Sequence, residues 1–281
     1  MKMKKALKIL SFVDVIFLIL LVVSGSFVGL ISDILYFTAF LIPFAIGFYY
    51  SRTLKREREE ERGLYEAFDS YFSLDTKRLI DLLPLLAPAV ALIFLLAAVT
   101  SLLLNSLGFT NPQPQNANIL TMLVIHALYP AVLEELLFRY IPMKLIAPYS
   151  RRWCVIFSSL FFALIHANLF QIPYAFAAGA IFMCINLAFE SVLPSFILHF
   201  LNNAASVVWM KYCTDMTAVW IFVSVLLLLT AISSVFIIIW RTRYKTHLFS
   251  SLEKGIPEFD SRGPVTLVVI SLYIALTSLF R

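Results

Sequence analysis

Apolar runs of about twenty residues, the length a helix needs to cross a bilayer, recur along the whole chain with short polar segments between them. They occupy 9–29, 34–50, 82–107, a run from 119 that ends between 139 and 148, then 153–170, 172–189, 194–210, 218–240 and a shorter 264–280. The spacing predicts an all-α, polytopic membrane helix bundle of about eight or nine transmembrane helices. With 61% hydrophobic residues and a mean hydropathy of +0.89, the chain is too apolar for a soluble domain. Charged residues are 14% of the sequence and fall in blocks between the runs. That distribution excludes a nucleic-acid-binding reading, and the net charge of +5 reflects topology. The three cysteines (Cys154, Cys184, Cys213) are far apart in or near apolar segments. They form neither a disulfide framework nor a zinc pattern and read as buried, inert thiols.

Lys and Arg concentrate in 1–8, 51–78, 139–152 and 241–263, leaving Lys211 and Arg281 elsewhere. Alternating spans place all four segments on one side, which the positive-inside rule makes the cytoplasmic side together with the N-terminus. The basic start resembles a signal peptide. Another long run follows at once without a small-residue cleavage site, so it reads as a retained span with Asp14 near the interface. The charged segment 51–62 leads into 63–78, where Tyr65, Phe68, Tyr71 and Phe72 recur at roughly helical spacing. This stretch is either an amphipathic interfacial helix or an ordinary cytoplasmic loop helix. Residues 108–117 form an uncharged turn segment. Three blocks result: N-terminal helices at 1–110 with the charged loop 51–78, a core at 117–212, and C-terminal helices at 213–281.

Glu134, Glu135 and Arg139 lie inside the fourth run. A charged side chain at the centre of a membrane helix costs about 2.5–3.5 kcal/mol on insertion scales, so three so close together need partners or a task. Arg139 stands four residues after Glu135, the spacing of an ion pair on one helix face. Adjacent helical residues point about 100° apart, so Glu134 and Glu135 take different roles, with Glu134 left to face the bundle. The fourth and fifth helices form a hairpin turning near Ser150, and equal arms bring Glu134 and His166 to similar depth. Pro142 and Pro148 stand in tension with a regular helix up to that turn. His199 and Asn203 are four apart on one face of the seventh helix, a pair of hydrogen-bond donors; Asn202 competes with Asn203 for that part. His126 lacks a spaced polar partner and reads as structural. Each Glu, Arg or His taken singly is also compatible with helix–helix packing.

Glu134-Glu135-x-x-x-Arg139, Phe162-x-x-x-His166 and His199-x-x-x-Asn203, in that order on membrane helices, resemble the three motifs of the CPBP family. This is the family of CAAX proteases and bacteriocin-processing enzymes, including the Ras-converting type II prenyl endopeptidases. The resemblance covers about 119–210, including Gly179 and the 194–203 run. It implies an intramembrane endopeptidase in which Glu134 with His166 activates water, His199 and Asn203 form the oxyanion hole, and Glu135 and Arg139 support them. Peptide hydrolysis requires such a base and donors aimed at the developing negative charge. The motifs lack the His-Glu-x-x-His arrangement of zincins, which favours a metal-free mechanism with no cofactor. The alternative is zinc held by Glu134, His166 and His199, with an open position. The implied partners are the lipid bilayer and a membrane-associated or prenylated peptide or protein; nucleic acid is excluded. Two non-peptidase readings stand beside it: a non-catalytic immunity or scaffold protein binding a peptide in the same cavity, and a proton-coupled transporter, against which the lack of repeated halves counts. The short-looped organisation suits a prokaryotic cell membrane. The positions of Glu134 near Arg139 and His199 near Pro194 place the site towards the cytoplasmic side.

Overall fold

The computed structural model describes residues 2–27, 29–62, 76–109, 118–166 and 168–244. They form eight helices: α1 (Lys2–Ser24), α2 (Leu30–Arg62), α3 (Thr76–Ser106), α4 (Ile119–Leu145), α5 (Arg151–Leu164), α6 (Ile172–Phe189), α7 (Leu193–Tyr212) and α8 (Met216–Tyr244). No strand occurs among the described residues. The expected helical membrane bundle is observed. Six helices are long and apolar enough to cross a membrane: α1, α2, α3, α4, α6 and α8. With 14 residues, α5 extends only about 21 Å, short of a hydrocarbon core of about 30 Å. The segment 63–75 and the ninth run at 264–280 lie outside the described residues.

Successive helices antiparallel to one another build two packed groups around α4. On one side α1 pairs with α2, and both rest on α4. Phe17 contacts Phe40 at 4.7 Å and Phe138 at 5.3 Å between ring centroids. On the other side α5 packs on the second half of α4 and α7 on its first half, α6 packs against α5 and α7, and α3 covers α6 and α7 and carries α8. In lipid the apolar effect does not drive helix association, so close packing must. Gly179 on α6 shows how: a Cβ there would come within 2.9 Å of the Ser159 Cα on α5. Asp14, expected near the interface, is fully buried within the protein, and neither carboxylate oxygen has a hydrogen-bond partner among the described residues. The packing of α1 against its neighbours encloses it.

α4 resolves the proline tension. It continues to Leu145, with π-helical turns at Leu123–Leu128 and Leu136–Tyr140. Each precedes a proline, Pro130 and Pro142 respectively. Proline has no N–H to give the carbonyl four residues back, and membrane helices tolerate it where neighbours satisfy that carbonyl. For Pro142 the carbonyl is that of Phe138, which accepts from Ser158 Oγ at 2.5 Å and from Arg139 Nη1 at 3.1 Å. The helix therefore carries its charged segment past Pro142 without leaving the Phe138 carbonyl unpaired. At the ends, the Asn118 side chain caps the start of α4 by accepting from the Leu120 amide at 2.9 Å. Ser150 caps α5 by accepting from the Trp153 amide at 3.4 Å, and the hairpin turns where the sequence placed it.

Candidate active site

Glu134 and Glu135 occupy the last α-helical turn before the second π turn of α4. Glu135 and Arg139 are fully buried, and Glu134 is 9% exposed. Arg139 Nε lies 3.4 Å from Glu135 Oε2, the pair expected from the spacing. The Arg139 guanidinium lies over the Phe162 ring at 4.2 Å and towards Phe182 at 5.7 Å. Two aromatic faces and one carboxylate thus enclose a charge that would otherwise be prohibitive at this depth.

His199 reaches the pair from α7. Its Nδ1 is 2.8 Å from Glu135 Oε1 and its Nε2 is 3.8 Å from Glu134 Oε2. The two glutamates diverge from the helix, as adjacent residues must, yet they meet opposite nitrogens of one imidazole ring. Because a carboxylate accepts, Nδ1 donates to Glu135, and Nε2 is the nitrogen turned towards Glu134. Phe162 meets the His199 ring edge-on at 5.6 Å and 89°, while Phe182 lies tilted at 5.6 Å. The register of α7 is fixed one turn earlier: the Asn186 amide donates to Ser195 Oγ at 2.7 Å, and the Ser195 amide donates to Asn186 Oδ1 at 3.0 Å.

His166 follows the end of α5, where its Nδ1 donates to the Phe162 carbonyl at 2.8 Å. In the neutral ring this leaves Nε2 as an acceptor. On α7, Asn202 Nδ2 donates to Asn203 Oδ1 at 3.3 Å, so the Asn203 amide nitrogen keeps its own protons for another acceptor.

Glu134, His166, His199, Asn202 and Asn203 line one cavity of about 610 Å³. Glu135 and Arg139 stand behind it. The cavity continues past these residues to His126 and Met210. His126, which reads as structural in the sequence, is exposed and lines this extension. Phe162, the first residue of the second motif, touches Arg139, His166 and His199 together. Sequence reasoning gave it no role, and its fixed spacing from His166 was the only signal.

The arrangement offers two acceptors, Glu134 and the His166 Nε2, and amide donors from Asn203 in the lining of one cavity. Glu134 Oε2 is buried and has no hydrogen bond from another described residue. Such a set can take the two protons of a water molecule and donate to a carbonyl oxygen. Among the described residues no group of three or more His, Cys, Asp or Glu side chains is placed to hold a metal ion.

Residues 116–205 match the family model described as type II CAAX prenyl endopeptidase Rce1-like. This stretch is similar to Rce1-like domains. It spans α4 to α7 and holds every motif residue of the cavity. Neither the curated proteins nor the solved structures include a match to the chain. The chain is thus a helical membrane bundle with a stretch similar to a protease family, the similarity that the three motifs suggested. The matched stretch also holds both π turns and the buried Glu134, Glu135 and Arg139.

Proposed function

We propose that the chain is an intramembrane endopeptidase that hydrolyses a peptide bond with water activated by Glu134. The observation that carries this reading is the convergence of Glu134, His166, His199 and Asn203 on one cavity, with His199 anchored to Glu135. The similarity to Rce1-like domains supports it independently.

A water held between Glu134 and His166 Nε2 loses a proton to Glu134 as its oxygen attacks the scissile carbonyl carbon. Negative charge moves to the carbonyl oxygen, where the Asn203 amide and a protonated His199 Nε2 donate to it. Such donors accelerate because they are fixed before the charge develops. Collapse of the tetrahedral intermediate breaks the C–N bond, and Glu134 returns the proton to the leaving amine. Every step uses side chains already in the cavity. Arg139 balances Glu135, so Glu135 can hold His199 without adding unpaired negative charge beside Glu134.

The eight helices are proposed as eight passes, with α5 and α7 completed by their polar ends within the bundle. The substrate is a membrane-associated peptide or protein, with prenylated CAAX-type chains as the class nearest the family description. The test is cleavage of a quenched-fluorescent farnesylated CAAX peptide by purified protein in detergent. Turnover by wild type and its loss in Glu134→Ala, with the fold retained, is the expected result. Full turnover by the variant overturns the assignment.

A further inference from the structure

The α1–α2 pair carries a second cavity, apart from the Glu134 site. It has a volume of about 510 Å³ and is lined by Lys4, Lys5, Lys8, Ile9 and Phe12 of α1 and by Tyr50 of α2. No residue is shared with the Glu134 cavity, and among the described lining residues none is acidic. Glu57 pairs with Lys5 at 2.6 Å and closes α1 onto α2 at this end.

The helix period sets charge and apolar wall in register. Lys4, Lys8 and Phe12 follow at four-residue intervals and so share one face of α1, with Lys5 and Ile9 in the adjacent row. The opposite face is taken up by packing: Ala6, Leu10, Val13 and Phe17 are buried there. Phe12 remains 53% exposed and Tyr50 38%, so the protein's own core uses neither fully. Lys4 and Phe12 are eight residues apart, about 12 Å along the axis. The cavity thus passes from ammonium groups at the start of the span to an aliphatic and aromatic wall deeper in it, faced from α2 by a tyrosine, a side chain favoured at membrane interfaces.

We propose that this cavity binds one anionic phospholipid, its phosphodiester among Lys4, Lys5 and Lys8 and the upper part of an acyl chain along Ile9, Phe12 and Tyr50. A small anion would use the ammonium groups and leave the wall bare, and an acyl chain alone would leave the charges unmatched. An amphiphile with an anionic head matches both. The positive-inside rule puts the start of α1 in the cytoplasmic leaflet, where anionic lipids attract basic side chains. A lipid seated between α1 and α2 ties together the pair whose Phe17 meets Phe138 of α4, so its binding is expected to raise the Tm.

The test titrates the purified full chain in neutral detergent with dioleoyl phosphatidylglycerol or with dioleoyl phosphatidylcholine. Bound lipid is read by native mass spectrometry and the Tm by thermal unfolding, neither of which depends on the peptidase reading. Wild type is expected to retain one phosphatidylglycerol where phosphatidylcholine is lost, with a higher Tm. Lys4→Gln/Lys8→Gln should weaken phosphatidylglycerol binding about thirtyfold, and Phe12→Ala about tenfold. Lys4→Arg/Lys8→Arg, which keeps both charges, should bind within about threefold of wild type. Should the double glutamine variant not fold, Lys8→Gln alone is expected to lose about fivefold. Arg152→Gln removes an exposed charge at the start of α5 and should leave binding unchanged. An equal loss in Arg152→Gln would show a diffuse charge effect and overturn the site, as would undiminished binding by the glutamine variants. Displacement of the lipid by inorganic phosphate beyond that by chloride of equal ionic strength, or binding indifferent to Phe12→Ala, would mark a small-anion site and overturn the lipid assignment.

Discussion

His199 Nδ1 lies 2.8 Å from Glu135 Oε1, a contact between helices α7 and α4 that turns the opposite ring nitrogen towards Glu134. Glu135 therefore sets which edge of the imidazole faces the cavity. Glu135→Gln keeps the shape but removes the charge that holds Nδ1–H. The loss of one well-placed oxyanion donor typically costs about 10²–10³ in rate. We expect kcat to fall by about 10²-fold with KM little changed. An unchanged kcat would show that His199 is held by its aromatic neighbours alone.

In the proposed mechanism Asn202, which donates to Asn203 Oδ1 at 3.3 Å, orients the amide and Asn203 donates to the substrate. Asn203→Ala removes the donor and should lower kcat by about 10²–10³. Asn202→Ala removes one hydrogen bond of about 1–1.5 kcal/mol, equivalent to about tenfold in rate if all of it acts on the transition state. Steady-state kinetics on the two variants would decide the order; a larger loss in Asn202→Ala would reverse the assignment.

Arg139 is buried with Glu135 at its side and Phe162 against its face. Removing one member of a buried pair commonly destabilises by about 3–5 kcal/mol, because the other charge is left uncompensated. Arg139→Ala should sharply lower the Tm in detergent, and Arg139→Ala/Glu135→Gln should recover part of that loss. No recovery in the double variant would mean that packing on Phe162, and not charge balance, dominates.

How much of this was legible in the sequence depended on period and spacing. Apolar runs of helical length disclosed the bundle, and Ser150 disclosed the hairpin turn. The four-residue interval of Glu135 and Arg139 disclosed their pair, because one helix fixes both positions. Interhelical placement was less accessible. The complete burial of Asp14 by helix packing was not visible in its position a few residues from Lys8. The continuity of α4 was hidden because Pro142 signals a break, and only a tertiary partner, Ser158, makes the helix past it tenable. His126 had no polar residue at helical spacing, and its place at the cavity follows from α7 lying alongside α4. Phe162 was visible only as a motif letter, since its contacts come from three separate segments.

Gly179 carries a prediction about packing alone. Its absent Cβ lets α6 approach α5 where Ser159 Cα would stand 2.9 Å away. Gly179→Val should cost about 1–3 kcal/mol through overpacking and push apart the helices that carry Phe162 and Phe182. Thermal unfolding in detergent would check the stability loss. A variant as stable and as active as wild type would show that the interface has room to relax.

The most direct measurement is turnover of a quenched-fluorescent membrane-associated peptide by wild type, Glu134→Ala and His166→Ala, each with and without a strong chelator. The account predicts cleavage by wild type that survives chelation and disappears in both folded variants. Cleavage that persists in Glu134→Ala, or wild-type cleavage abolished by the chelator and restored by zinc, would contradict it.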